Sequence, residues 1–181
     1  MLENIKRDFR WITLILIPAG IVVNGAGGWL FAKLDTPFYF DTIGTIFVAV
    51  AAGPIAGALT GLLTNVIVGY FSPGYAPYWS VPLLIGLVAG ICASAGMFKR
   101  WWKVLLAGLL IAVTAAVASA LISARVFGGF TFNPAYFLLE EPLDKIVTAL
   151  IVFVITRILP ERLRIRLPCP ENLEVEELIK R

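Results

Sequence analysis

The 181 residues contain no histidine. That removes the commonest imidazole base and transition-metal ligand, and argues against a histidine triad, a zinc site or a nickel or cobalt carrier. Cysteine is scarce too. Cys92 in an apolar segment and Cys169 in a polar tail are far apart and resemble neither a disulfide framework nor a metal pair, so both read as free thiols. Charge is the third shortage: 15% of residues are charged, against about a quarter in soluble domains, and no carboxylate occurs between Asp41 and Glu140. Missing as well are a GxxxxGK[ST] phosphate loop, a base-assisted nucleophile and a carboxylate-rich metal motif within an apolar run, which excludes an ATPase and argues against any enzyme.

What remains is apolar. Hydrophobic residues make up 59% of the chain and mean hydropathy is +0.88. Almost one hundred consecutive positions without an acid are expected to cross hydrocarbon repeatedly, where backbone amides are satisfied only within helices or closed barrels. The apolar runs are long and lack the alternation of a barrel strand, so the fold class is an all-α membrane bundle.

Six helices are expected. Trp11–Ala32 is longer than a signal-peptide core and is read as a retained helix 1. The segment LDTPFYFD breaks the pattern before a short helix 2, Thr42–Ala52, whose rise of about 17 Å falls well below a hydrocarbon core of about 30 Å. Gly53 and Pro54 make a tight break and Pro54 opens helix 3, to about Phe71. After the loop SPGYAPYWS, helix 4 spans about Val81 to Met97. The basic stretch FKRWWK leads to helix 5, ending near Val126, and after the loop GGFTFNPAYFLLEE helix 6 runs from Pro142 to near Leu159. The domains are thus residues 1–10, an N-terminal segment, 11–160, the membrane bundle, and 161–181, a polar tail.

Twelve of the fifteen Lys and Arg lie in the N-terminal segment, the helix 4 to 5 connection, the end of helix 6 or the tail. The positive-inside rule makes that side cytoplasmic, giving N-in and C-in, and accounts for the net charge of +3 and pI near 9.0 without a nucleic-acid partner. Lys33, Arg125 and Lys145 lie near the other, otherwise acidic face. Small residues recur every fourth position, as in Gly53, Gly57, Gly61 and Gly69, with Asn65 in the register between the last two, or Gly108, Ala112, Ala116, Ala120 and Ala124. Such ladders pack helices within a bundle or form a face for another membrane protein. Asn24 and Asn65 lie within spans and need a hydrogen-bonding partner or a wet cavity. Tyr70, Phe71, Tyr75, Tyr78 and Trp79 crowd one outward loop, and Phe40, Phe130 and Tyr136 join the same side. An interfacial belt explains the span ends, and a cover over an organic ligand explains rings inside Pro- and Gly-shaped loops. Arg125 or Lys145 could pair with Asp144 or bind an anionic group.

The block FDTIGTIFVAVAAGPIAGALTGLLTNVIVG, Phe40 to Gly69, with LIGLVAG at Leu84–Gly90 and EPLDKIV at Glu141–Val147, resembles the substrate-binding S components of energy-coupling-factor vitamin transporters. The resemblance covers about Trp11 to Pro160. It implies a non-catalytic, multi-pass protein of a bacterial-type plasma membrane that captures a vitamin outside and has no cofactor or metal of its own. Its implied partners are a membrane coupling protein and two cytoplasmic ATPases, which supply the power. Loops 1, 3 and 5 and the nearby helix ends would form the pocket, giving Phe40, Asp41, Asn65, Tyr70, Tyr75, Tyr78, Trp79, Arg125, Phe130, Asn133, Tyr136 and Lys145 as ligand-binding candidates. The family's alanine-spaced docking register on helix 1 matches Gly20, Asn24, Gly28 and Ala32, with a polar interruption. Sparse loop charge places cobalamin first as ligand, with riboflavin and pantothenate next. A membrane sensor or assembly scaffold is the competing class.

Overall fold

The computed structural model describes residues 11–34, 38–128 and 139–173, and among these every regular element is helical. Six helices of ten residues or more follow one another: α1 Trp11–Lys33, α2 Ile43–Ala52, α3 Pro54–Phe71, α4 Ser80–Ser94, α5 Trp101–Phe127 and α6 Glu141–Ile158. Short 3-10 turns lie at Pro73–Tyr78, Met97–Lys99 and Pro170–Leu173, and a single-turn helix, α7, at Glu161–Arg164. Three helices, Trp11–Lys33, Pro54–Phe71 and Trp101–Val126, are long and apolar enough to cross a membrane. Large apolar side chains such as Trp11, Val22, Leu110, Val113 and Ile158 face outward, whereas Thr13, Asn24, Thr45, Thr64, Asp144 and Lys145 are buried. Such an arrangement suits an apolar surrounding solvent.

The basic stretch is less of a loop than its charge suggests. Gly96 takes a left-handed conformation that ends α4, Phe98 turns inward and is buried, and Trp101, Trp102 and Lys103 already form the first turn of α5.

The centre of the bundle is α2. Eight of its ten residues are buried, and it packs against α1, α3, α4 and α6. A helix apolar on every side belongs in an interior. Burial then leaves its terminal N–H and C=O groups without solvent, and each end needs protein partners. At the N-terminus Thr42 makes no capping bond, and the cap comes from another helix: Asn24 Oδ1 on α1 accepts the Gly44 and Thr45 N–H groups at 2.7 and 3.2 Å. The Asn24 amide nitrogen donates to Thr45 Oγ1 at 2.8 Å and Thr64 Oγ1 at 3.0 Å, so its full bonding capacity is used.

At the C-terminus the break follows from two residues. Gly53 adopts φ 94°, ψ 169°, a region open to glycine almost alone, and Pro54 lacks the N–H that would have met the Val50 carbonyl four residues back. The chain's own end supplies the missing donors. Asn172 Nδ2 bonds Val50 O at 3.0 Å, and the Cys169 N–H bonds Ala51 O at 3.0 Å. Leu167, Cys169, Asn172 and Leu173 are all buried, so part of the polar tail is a plug beneath the short helix.

The small-residue ladders lie largely inside this packing. A Cβ on Gly44 would strike the Gly20 backbone, one on Gly86 the Gly57 backbone, and one on Gly108 the Ile146 backbone. Helix axes approach closely at these three crossings because no side chain intervenes.

Asn172→Leu keeps the apolar volume of the plug but leaves the Val50 carbonyl buried without a donor. It is expected to lower stability by about 1–3 kcal/mol, read as a drop in the thermal unfolding midpoint of the detergent-purified protein. Asn172→Asp, which cannot donate, should fall at least as far.

Candidate ligand cavity

The two ends of the bundle differ in kind. One holds Lys99, Arg100, Lys103 and Arg157 where α4, α5 and α6 meet. At the other end, the segment before α2, α3 to α6 and the 3-10 turn Pro73–Tyr78 line a partly open cavity of about 570 Å³, within the roughly 300–1000 Å³ of ordinary small-molecule sites. Val81, Pro82, Ile85 and Ala120 give it an apolar wall; Thr64, Asn65, Ser119 and Ser123 are hydroxyl and amide groups on α3 and α5; Tyr39, Asp41, Thr42, Glu141 and Lys145 form its charged side.

The charged side is organised by Asp144, which is fully buried on the first turn of α6. Its carboxylate does not cap its own helix. Oδ1 instead accepts the N–H groups of Tyr39 at 3.0 Å and Phe40 at 3.1 Å, across more than a hundred residues of chain, while Oδ2 accepts from Lys145 Nζ at 2.6 Å. A buried carboxylate is tolerated when it is paired and hydrogen-bonded in this way. The segment before α2 is thereby fastened to α6 in an unusual conformation. Phe40 has φ 46°, rare for a non-glycine residue, and its ring packs against Phe31 and Phe38 at centroid distances of 4.4 and 5.4 Å. Gly27 permits this, because a Cβ there would run into the Phe40 carbonyl.

Lys145 is buried, and its ammonium also lies 3.6 Å from Asp41 Oδ1 and 4.0 Å from Glu141 Oε2, one helical turn back. Three carboxylates thus share one ammonium. Asp41 Oδ1 and Thr42 Oγ1 are buried atoms with no hydrogen-bond partner, and both residues line the cavity. Partial burial, and after it the carboxylates of Glu140, Glu141 and Asp144, hold the Tyr39 phenol above its ordinary pKa, so its hydroxyl stays protonated.

The cover is latched at two points. Asn65 Nδ2 on α3 donates to the Tyr75 carbonyl at 3.2 Å, and the Tyr78 hydroxyl meets Ser123 Oγ on α5 at 2.8 Å. Gly69 lets Ala76 lie against α3 without a side chain between them.

Of the residues expected at a ligand site, Asp41, Asn65, Tyr75, Tyr78 and Lys145 do line the cavity. Phe40 is buried beside it and acts through its backbone and ring packing. Tyr70 (84% exposed), Trp79 (48%) and Arg125 point away from the cavity, the two aromatics sitting where an interfacial belt would place them. Phe130, Asn133 and Tyr136 lie outside the described residues. On α1, Gly20 and Asn24 are buried against α2 and α3, Gly28 is partly buried beside Asp41, and Ala32 is exposed. Thr42, Thr64, Ser119, Ser123 and Glu141 line the cavity without having been singled out. Ser119 and Ser123, one turn apart in an apolar helix, were the legible sign among them.

The chain matches no known protein-family model, no curated protein and no solved structure. The cavity's chemistry must therefore speak from its own residues. It can hold an apolar body against α4 and α5 and fix a polar end against α6 and the segment before α2. Its carboxylates converge on Lys145, and among the described residues no group of acidic or thiol side chains is placed to hold a metal ion.

Asp144→Ala removes both anchors of the Tyr39–Phe40 segment and leaves the Lys145 ammonium without its nearest partner. A loss of roughly 3–5 kcal/mol is expected, measured as a lowered unfolding midpoint. Tyr78→Phe, which removes only the latch to Ser123, is expected to raise the ligand dissociation rate by about fivefold to tenfold, a hydrogen bond's worth. Trp79→Ala should leave that rate unchanged in the same stopped-flow measurement.

Proposed function

We propose that this chain is the substrate-binding component of an energy-coupling-factor type importer, spanning the membrane six times with both termini on the cytoplasmic side and capturing a vitamin-sized molecule from outside. The observation that carries the reading is the covered cavity at the end of the bundle remote from the cationic connections. By the positive-inside rule that end faces outward. Apolar side chains on the outer faces, with polar and charged groups such as Asn24, Asp144 and Lys145 kept buried, support the same reading. The resemblance of Phe40–Gly69 and Glu141–Val147 to S components adds the transport context, and here those two segments supply the beginnings of α2 and α6 that flank the charged side of the cavity.

On this proposal the protein binds without ATP and delivers its ligand only when docked on a membrane coupling protein with two ATPases. The docking face would use α1 residues that point outward, such as Ala19 and Val23, in place of Gly20 and Asn24. For the ligand, a cavity of about 570 Å³ with charged groups on one side favours a compact molecule with a polar end over the large, largely neutral cobalamin suggested by sparse loop charge. Riboflavin and pantothenate are nearer that size.

The test is calorimetry of the purified chain with a vitamin panel, followed by uptake into vesicles with and without the coupling module. Tight ATP-independent binding of one vitamin, and uptake that needs both module and ATP, are expected. A folded protein that binds none of the panel, or one that forms stable membrane complexes without moving any vitamin, would favour the scaffold class instead.

A further inference from the structure

Resting on the binding-subunit reading, we infer that the cavity's ligand carries a positive charge, which is held against Asp41 with the Thr42 hydroxyl beside it. The charge balance of the described groups leads there. Asp41 and Asp144 bring two negative charges to the one positive charge of Lys145. The closest pair, Lys145 with Asp144 at 2.6 Å, neutralises the most deeply buried carboxylate. Asp41 stays 3.6 Å from the ammonium, outside direct hydrogen-bond range, and its buried Oδ1 receives no hydrogen bond.

Asp41 precedes the N-terminus of α2 and Asp144 lies in the first turn of α6, where the helix dipoles favour carboxylates without supplying a hydrogen-bond donor to Asp41 Oδ1. Nor does another described cation line the cavity: Arg125 is exposed, and Lys33 lies 4.5 Å over the Trp29 ring.

Thr42 is the independent sign of a missing partner. It is 2% exposed, lines the cavity, and its Oγ1 has no hydrogen-bond partner because Asn24 has taken over the capping of α2. Buried polar atoms in folded proteins are nearly always bonded, so an exception facing a cavity marks where a ligand donor belongs. Asp41 and Thr42 are successive residues that both line the cavity. An ammonium or a heterocyclic cation bearing N–H groups can donate to such acceptors, and Tyr39, Tyr75 and Tyr78 supply aromatic rings to the same lining. An anion placed there would meet an excess of like charge.

The experiment compares probes of different charge, with a size-matched trio in pyridoxamine, pyridoxine and 4-pyridoxate, on the detergent-purified full chain by calorimetry. Pyridoxamine and thiamine are cationic, pyridoxine and riboflavin neutral, pantothenate and 4-pyridoxate anionic. The cationic members are expected to bind tightest, pyridoxamine exceeding pyridoxine by about tenfold or more. Asp41→Asn should lower cation affinity by about tenfold to hundredfold while changing that of neutral probes by under about threefold, and Thr42→Val should cost a few-fold. If Asp41→Asn fails to fold, the ranking by charge in the unaltered protein decides. A neutral or anionic probe that binds tightest would overturn the inference and leave the binding-subunit reading standing. Failure of a folded protein to bind any probe, or any vitamin of the wider panel, would overturn both.

Discussion

A ten-residue helix buried on every side cannot leave its end groups to solvent, and much of this structure follows from how α2 meets that requirement. Its first N–H groups are received by Asn24 from a neighbouring helix, and its last carbonyls by Asn172 and the Cys169 amide from the chain's end. Unmet, each of these groups would cost on the order of 1–3 kcal/mol. The two asparagines therefore hold together segments nearly 150 residues apart. The same arrangement frees Thr42 from capping duty and leaves its buried hydroxyl without a partner in a residue that lines the cavity. Packing at one end of a helix has created chemistry beside it.

A second constraint acts at the cavity. Asp144 must be paired to be buried, and its pairing with the Tyr39 and Phe40 amides draws the segment before α2 onto α6. Phe40 is held in a strained backbone conformation by that contact and by its ring neighbours. The cavity thus has one side built from buried ionic contacts and another, the 3-10 turn, held by two side-chain hydrogen bonds and by the packing of Ala76 on α3.

Small residues illustrate how one pattern serves two readings in sequence. The four-residue ladders on α1, α3, α4 and α5 announce close helix approach wherever they occur, because hydrocarbon supplies little drive beyond dispersion and packing. Which neighbour fills the notch is a matter of three dimensions. Gly20 meets Gly44, Gly57 meets Gly86, and Gly108 meets α6, so the ladders that invited thoughts of an external partner are substantially spent within the chain.

Legibility followed the range of the interactions involved. The helices, the Gly53–Pro54 break, the shortness of α2 and the segregation of cations could be read from the order of residues, since hydropathy, proline's missing N–H and the cost of charge in lipid all act locally. Asn65, Tyr75, Tyr78, Asp41 and Lys145 were legible as polar or aromatic residues out of keeping with their surroundings. Tyr70 and Trp79 share that character yet face outward, and Glu141 and Thr42 looked like ordinary helix-start residues yet line the cavity. Those distinctions depend on which side of a helix turns inward and on which distant group has already taken a hydrogen bond, and only the assembled bundle decides them. The sequence by itself determined that the chain is a helical bundle with a few polar residues inside its apolar runs; tertiary structure decided that Asp41 should join Glu141, Asp144 and Lys145, because it comes from a segment about a hundred residues away from theirs.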